Sequence, residues 1–78
     1  MMLNLAELLN AATVEGEILI RVWDDDAEDY SVNKYLDALT HEDSYLYSWT
    51  VKYIYPLLDF SRERHEFAAV VIELEKED

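Results

Sequence analysis

Glu17-Ile18-Leu19-Ile20-Arg21-Val22-Trp23 runs directly into Asp24-Asp25-Asp26-Ala27-Glu28-Asp29, and the reading of these residues decides the fold. In an extended chain Ile18, Ile20 and Val22 share one face, while Glu17, Leu19, Arg21 and Trp23 share the other. The first face is wholly apolar and belongs to a core; the second is mixed. The acids that follow cannot be buried, because an unpaired ion is too costly to desolvate. The strand therefore ends in an exposed loop carrying five carboxylates.

Upstream, Leu5, Leu8, Leu9 and Ala12 recur at i, i+3, i+4 and i+7, which predicts a helix over residues 3–12 with Asn4 at its start. Thr13-Val14-Glu15-Gly16 breaks that period, glycine being the residue that accepts a positive φ at little cost. Downstream, Ser31 reads as the N-cap of a second helix near residues 32–39, with Val32, Tyr35, Leu36 and Leu39 again at helical spacing. The acids ahead of it suit the positive end of a helix dipole. Residues 41–48 form either a short helical turn or a backward extension of the next strand. Trp49, Val51, Tyr53 and Tyr55 then alternate with Thr50, Lys52 and Ile54 in a second strand that Pro56 is expected to end. A charged connection from Leu57 to Glu66 contains Arg62 and Arg64. A third strand, Phe67 to Glu75, turns Ala68, Val70, Ile72 and Leu74 to one side and Glu73 and Glu75 to the other. The order α-β-α-β-β predicts a small α+β fold: a three-stranded, mainly antiparallel sheet packed by one or two helices, the last two strands forming a hairpin. With no linker or repeat, residues 1–78 read as a single domain.

The chain has 78 residues, 18 Asp or Glu against 6 Lys or Arg, and a net charge of −12, yet 51% of it is hydrophobic. Six Tyr, two Trp and two Phe separate it from disordered acidic chains, which are poor in aromatic residues. Phosphates are held by clustered Lys and Arg, so direct binding to nucleic acid or to an anionic membrane is not expected, and the natural partner is a basic protein surface. There is no cysteine for disulfides or thiolate metal sites. No run approaches a membrane span, and Met1-Met2-Leu3-Asn4 lacks the basic start of a signal peptide, so a soluble cytoplasmic protein is expected.

Candidate chemistry is sparse. A calcium loop alternates its ligands around a turn glycine, whereas Asp24–Asp29 is a consecutive run without one. His41 and His65 each precede a glutamate but lack the second histidine of a zinc helix. Ser31, Ser44, Ser48 and Ser61 have no nucleophile-elbow context, and a chain with a single glycine has no phosphate loop. No metal, cofactor or catalytic residue is assigned, and a protein without enzymatic activity is expected. Two surfaces stand out instead. Tyr45, Tyr47, Trp49, Tyr53 and Tyr55 exceed what a small core accommodates, which makes Trp49, Tyr53 and Tyr55 candidates for an interface. The acids concentrate at Asp24–Asp29 and at Glu73–Asp78, with Asp24, Asp25, Asp26, Glu28 and Asp29 leading.

Three segments also carry a family resemblance: Leu3-Asn4-Leu5-Ala6-Glu7-Leu8-Leu9, Ile18-Leu19-Ile20-Arg21-Val22-Trp23-Asp24-Asp25 and Val70-Val71-Ile72-Glu73-Leu74-Glu75. With these the chain resembles the small acidic proteins by which phages and mobile elements block host defence nucleases, among them anti-CRISPR proteins that occupy the PAM-reading site of Cas9. The segments cover 21 of the 78 residues, about a quarter of the chain. The resemblance implies an inhibitor without catalysis; the enzyme inhibited does not carry over.

The leading expectation is thus an acidic mimic of nucleic acid that docks on the basic cleft of a nuclease or Cas effector. The alternative is a small interaction module, homodimeric or bound to a protein partner through the aromatic stripe, whose acids serve solubility alone.

Overall fold

Asn4 and Glu7 close a reciprocal pair at the start of the first helix. The Asn4 carboxamide oxygen accepts from the Glu7 N–H at 2.8 Å, and the Asn4 N–H donates to Glu7 Oε1 at 3.2 Å. Such a box satisfies donors that a helix start otherwise leaves open. The computed structural model describes residues 3–12, 16–59 and 67–76, and in it this helix, α1, spans Leu5–Ala11. Four strands follow: β1 (Glu17–Asp24), β2 (Asp29–Tyr35), β3 (Val51–Asp59) and β4 (Phe67–Leu74), with 3-10 segments at Leu36–Ala38 and His41–Ser48 between β2 and β3. Of the expected features, the break at Thr13-Val14-Glu15 and the charges Arg62, Arg64 and His65 lie outside the described residues.

The sheet order is β2-β1-β4-β3. Two antiparallel hairpins, β1/β2 and β3/β4, are joined at the centre by parallel pairing of β1 with β4. The α+β class and the closing hairpin are as expected. The sheet, however, has four strands rather than three and is mixed.

The fourth strand comes from residues expected to be helical. Val32 lies in β2 and pairs with Val22, while Leu36 and Leu39 belong to the 3-10 segment and its end. All three still pack on one core. The helical spacing is therefore met by a strand that turns a corner, and Ser31 caps nothing: it is the extra residue where pairing shifts between Val22/Val32 and Trp23/Tyr30, and its hydroxyl donates to the Val22 carbonyl at 3.4 Å. Pro56 does not end its strand either. It pairs with Val70 inside β3, an edge strand, where a missing N–H leaves no neighbour unsatisfied. Residues 41–48 take the helical alternative.

Leu5, Ile20, Val22, Leu46, Ile72 and Leu74 form the fully buried core, with Leu8, Leu9, Ile18, Trp49 and other half-buried side chains packed around it. Each such aliphatic side chain removed from water contributes about 2 kcal/mol. The face of β1 carrying Ile18, Ile20 and Val22 is the core face, and α1 and the second 3-10 segment cover it. The approach to α1 is fastened to the start of β3: Val51 N–H donates to the Leu3 carbonyl at 2.7 Å and Leu5 N–H to the Trp49 carbonyl at 3.1 Å. No described helix is long and apolar enough to cross a membrane.

Candidate functional site: an acidic end beside an open aromatic face

The acidic run is the turn of the β1/β2 hairpin. Asp24 and Asp29 are its last pair, and Asp25, Asp26, Ala27 and Glu28 make the loop. Asp24 holds that loop, its Oδ1 accepting from the N–H groups of Asp26 at 3.0 Å and Ala27 at 3.4 Å, a local turn that aspartate forms readily. The Ala27 N–H foremost, then that of Asp26 and the Lys76 ammonium at 3.5 Å, keep the Asp24 carboxyl below its ordinary range against a partial desolvation. Glu28 closes the loop with φ 52. Asp25 accepts from the Trp23 indole N–H at 2.7 Å and Asp29 from the Tyr30 N–H at 2.7 Å. The exposed carboxylates of Asp26 and Glu28 are bonded to no other described residue.

Parallel pairing of β1 with β4 sends both strands toward the same end of the sheet. The two acid-rich segments read from the sequence thereby become neighbours, with Val22 beside Leu74 and Asp24 reaching Lys76. Glu73 and Glu75 join the five loop acids there, while Glu77 and Asp78 lie outside the described residues. Among the described residues no three His, Cys, Asp or Glu side chains converge as a metal site.

The aromatic stripe is divided between the two faces. Trp49 lies on the helix-covered side, packed against the core and edge-on to Tyr45 at 5.2 Å. Tyr53 and Tyr55 lie on the opposite face, against which no described helix packs. The division is made by a shift of register between Val51 and Tyr53: Val51 pairs with the core residue Leu74, Tyr53 with Glu73 on the other side. In a regular strand, with Lys52 paired in its turn, Val51 and Tyr53 would share a face; as a bulge Lys52 puts them on opposite ones. The bulge at Ser31 does the same for Tyr30, which opposes Trp23 on the open face although Val32 faces the core.

Register arranges this face in rows. Tyr35, Leu19, Val71 and Tyr55 form one, in which Leu19 and Val71 are buried; Asn33, Arg21, Glu73 and Tyr53 form the next; Tyr30 and Trp23 lie beyond, at the acidic end. Arg21 organises them. Its Nε donates to Asn33 Oδ1 at 3.1 Å, its Nη1 to the Tyr55 hydroxyl at 3.4 Å, and its guanidinium lies 4.8 Å from the Tyr30 ring centroid. Tyr55 passes the link on, donating to Glu73 Oε2 at 3.1 Å. Burial above all, with bonding to Tyr30 and Glu73, raises the Tyr55 pKa above 10.0, opposed by Arg21. Trp23 and Tyr30 meet edge to face at 5.1 Å. Arg21, Tyr30 and Asn33 were not singled out in the sequence, and Glu73 only as an acid of the closing strand; the signal available was a lone arginine flanked by alternating positions on the non-core face of β1.

At the other end of the sheet a depression of about 280 Å³ is lined by Gly16, Glu17, Ile18, Leu36 and Asp37. Among the described residues it gathers two carboxylates and no cation. Compared with known proteins, the chain matches no family model, no curated protein and no solved structure.

Proposed function

We propose that the protein is a non-enzymatic inhibitor whose acidic end occupies the basic cleft of a nucleic-acid-processing enzyme, of the nuclease or Cas-effector kind. The observation that supports this reading is the parallel β1/β4 pairing, which gathers both acid-rich segments on one end of a rigid sheet. Carboxylates held on such a scaffold stand in for backbone phosphates, and their field accelerates encounter with a lysine- and arginine-rich groove. Trp23, Tyr53 and Tyr55 beside them supply apolar contact area.

The test is inhibition and binding across a panel of nucleases and Cas effectors with wild type and D26K/E28K. These positions are chosen because Asp24 holds the turn, so its replacement would confound charge with folding. Charge reversal should abolish binding, and added salt should weaken the wild-type complex. Undiminished inhibition by D26K/E28K would overturn the mimic.

A second reading, an interaction module or homodimer, draws on Tyr53 and Ile54 of the edge strand β3, which remain 55% and 54% exposed. Sedimentation equilibrium decides: a salt-insensitive dimer would favour it, and a monomer would leave only the hetero-partner.

A further inference from the structure

We infer that the aromatic end of the open face, around Trp23, Tyr30 and Tyr53, is a docking surface for an arginine-bearing segment of a basic protein partner. The inference rests on the proposed recognition of a basic surface and names the side chain that the aromatic part of it receives.

The protein uses this chemistry internally. Arg21 stacks on Tyr30 at 4.8 Å, and Lys52 lies 5.4 Å from the Tyr53 ring centroid. Its own cations thus cover part of the aromatic surface, while Tyr53 and Trp23 remain 55% and 37% exposed. Carboxylates stand beside those rings: Asp25 is bonded to the Trp23 indole, and Glu73 is paired across from Tyr53. A guanidinium asks for this combination, a flat π face to lie on and a carboxylate to take its fork of N–H donors. An ammonium, being a strongly hydrated point charge, gains less from the ring. The strands carrying Trp23 and Tyr53, β1 and β3, are two strand spacings apart, about 10 Å, which two arginines of one segment span.

Charge selects a basic partner over a second copy of the chain. Laid head to head, two such faces would bring two acidic hairpin tips and their neighbouring glutamates into contact, and in any arrangement a second copy carries the same net charge of −12, so like charges oppose association. A basic segment is drawn to the same spot by the same acids.

The experiment titrates the full-length, isotope-labelled protein with nona-arginine and nona-lysine at low ionic strength, followed by NMR. Nona-arginine should shift the indole N–H resonance of Trp23 and leave that of Trp49, on the covered side of the sheet, in place. Tyr53→Ala should weaken nona-arginine binding about threefold to tenfold, whereas Tyr45→Ala, which removes an exposed ring on the helix side, should not. Nona-lysine should bind more weakly than nona-arginine. If binding is lost in D26K/E28K but Trp23 does not respond and Tyr53→Ala binds as wild type, the docking surface is overturned while the acidic end keeps its role. If neither peptide binds, both readings fall. A dimer that shields Trp23 and Tyr53 would also overturn the inference, because the surface would then belong to a second copy.

Discussion

Three donors converge on one carboxylate oxygen at the start of the second 3-10 segment. Asp43 Oδ2 accepts from the Thr40 N–H at 2.9 Å, the Thr40 hydroxyl at 3.1 Å and the Lys34 ammonium at 3.4 Å. The Thr40 N–H first, then its hydroxyl and Lys34, hold Asp43 below its ordinary value of 3.8, outweighing the desolvation that opposes them. The native protein therefore takes up this proton less readily than the unfolded chain. The associated stability is present above about pH 3.8 and is lost as pH falls toward the lower native value, and Asp24 contributes in the same sense. Asp43→Asn should flatten this acid limb in thermal melts followed by circular dichroism across pH 2–6; an unchanged limb would remove Asp43 as its source. At the centre of the core, Ile72 is fully buried and pairs with Ile20 on one side and Ile54 on the other. Ile72→Ala should cost about 2–5 kcal/mol in urea denaturation.

At the scale of elements, the β1/β2 hairpin is specified by side chains instead of by glycine. Asp24 folds the loop, and Glu28 tolerates a left-handed backbone that is unfavourable for a residue with a Cβ. Glu28→Gly should stabilise the protein by up to about 1 kcal/mol, read from the same denaturation curves. A loss of stability would show that the Glu28 side chain contributes more than its backbone strain removes. The absence of glycine or asparagine is also why the hairpin escaped the sequence reading. Five acids read as an exposed loop leading into a helix start, and the run Val32, Tyr35, Leu36, Leu39 has helical spacing. Strand β1, strand β4 and helix α1 were legible because each keeps one period throughout. β2 and β3 do not: each contains an extra residue, Ser31 or Lys52, that switches the face of every following side chain. Alternation has no mark for such a residue, so Trp49, Tyr53 and Tyr55 read as one stripe when they belong to two faces. The acidic candidates fared differently, since charge run against solvent is legible without any pairing partner. Their meeting with Glu73 and Glu75 was not legible, because it depends on parallel pairing between distant segments.

For the molecule as a whole, the concentration of like charge at one end opposes its own folding. Ionic strength of about 1 M shortens the screening length to about 3 Å and suppresses that repulsion. The melting temperature of the free protein should rise with sodium chloride, and rise less for D26K/E28K, in which part of the repulsion is already gone; calorimetry checks both. A wild-type melting temperature indifferent to salt would mean that the acids at this end do not repel one another appreciably. The same salt that stabilises the free protein should loosen its proposed complex. These opposite responses separate the protein's internal electrostatics from its external ones.

The central seam also sets the order of events when the chain folds. Each hairpin closes over a short loop, but every partner pair between β1 and β4 is 52 residues apart, from Glu17/Ala69 to Val22/Leu74. Closing so long a loop carries an entropic penalty that the local hairpins do not meet, and contacts of this separation slow folding. The hairpins therefore form early and the seam zips last, in the step that also forces the two acidic tips together. Mutations along the seam should accelerate unfolding more than they retard refolding, and salt, which relieves repulsion across the same late-forming seam, should slow the unfolding arm of the chevron more than it speeds the refolding arm.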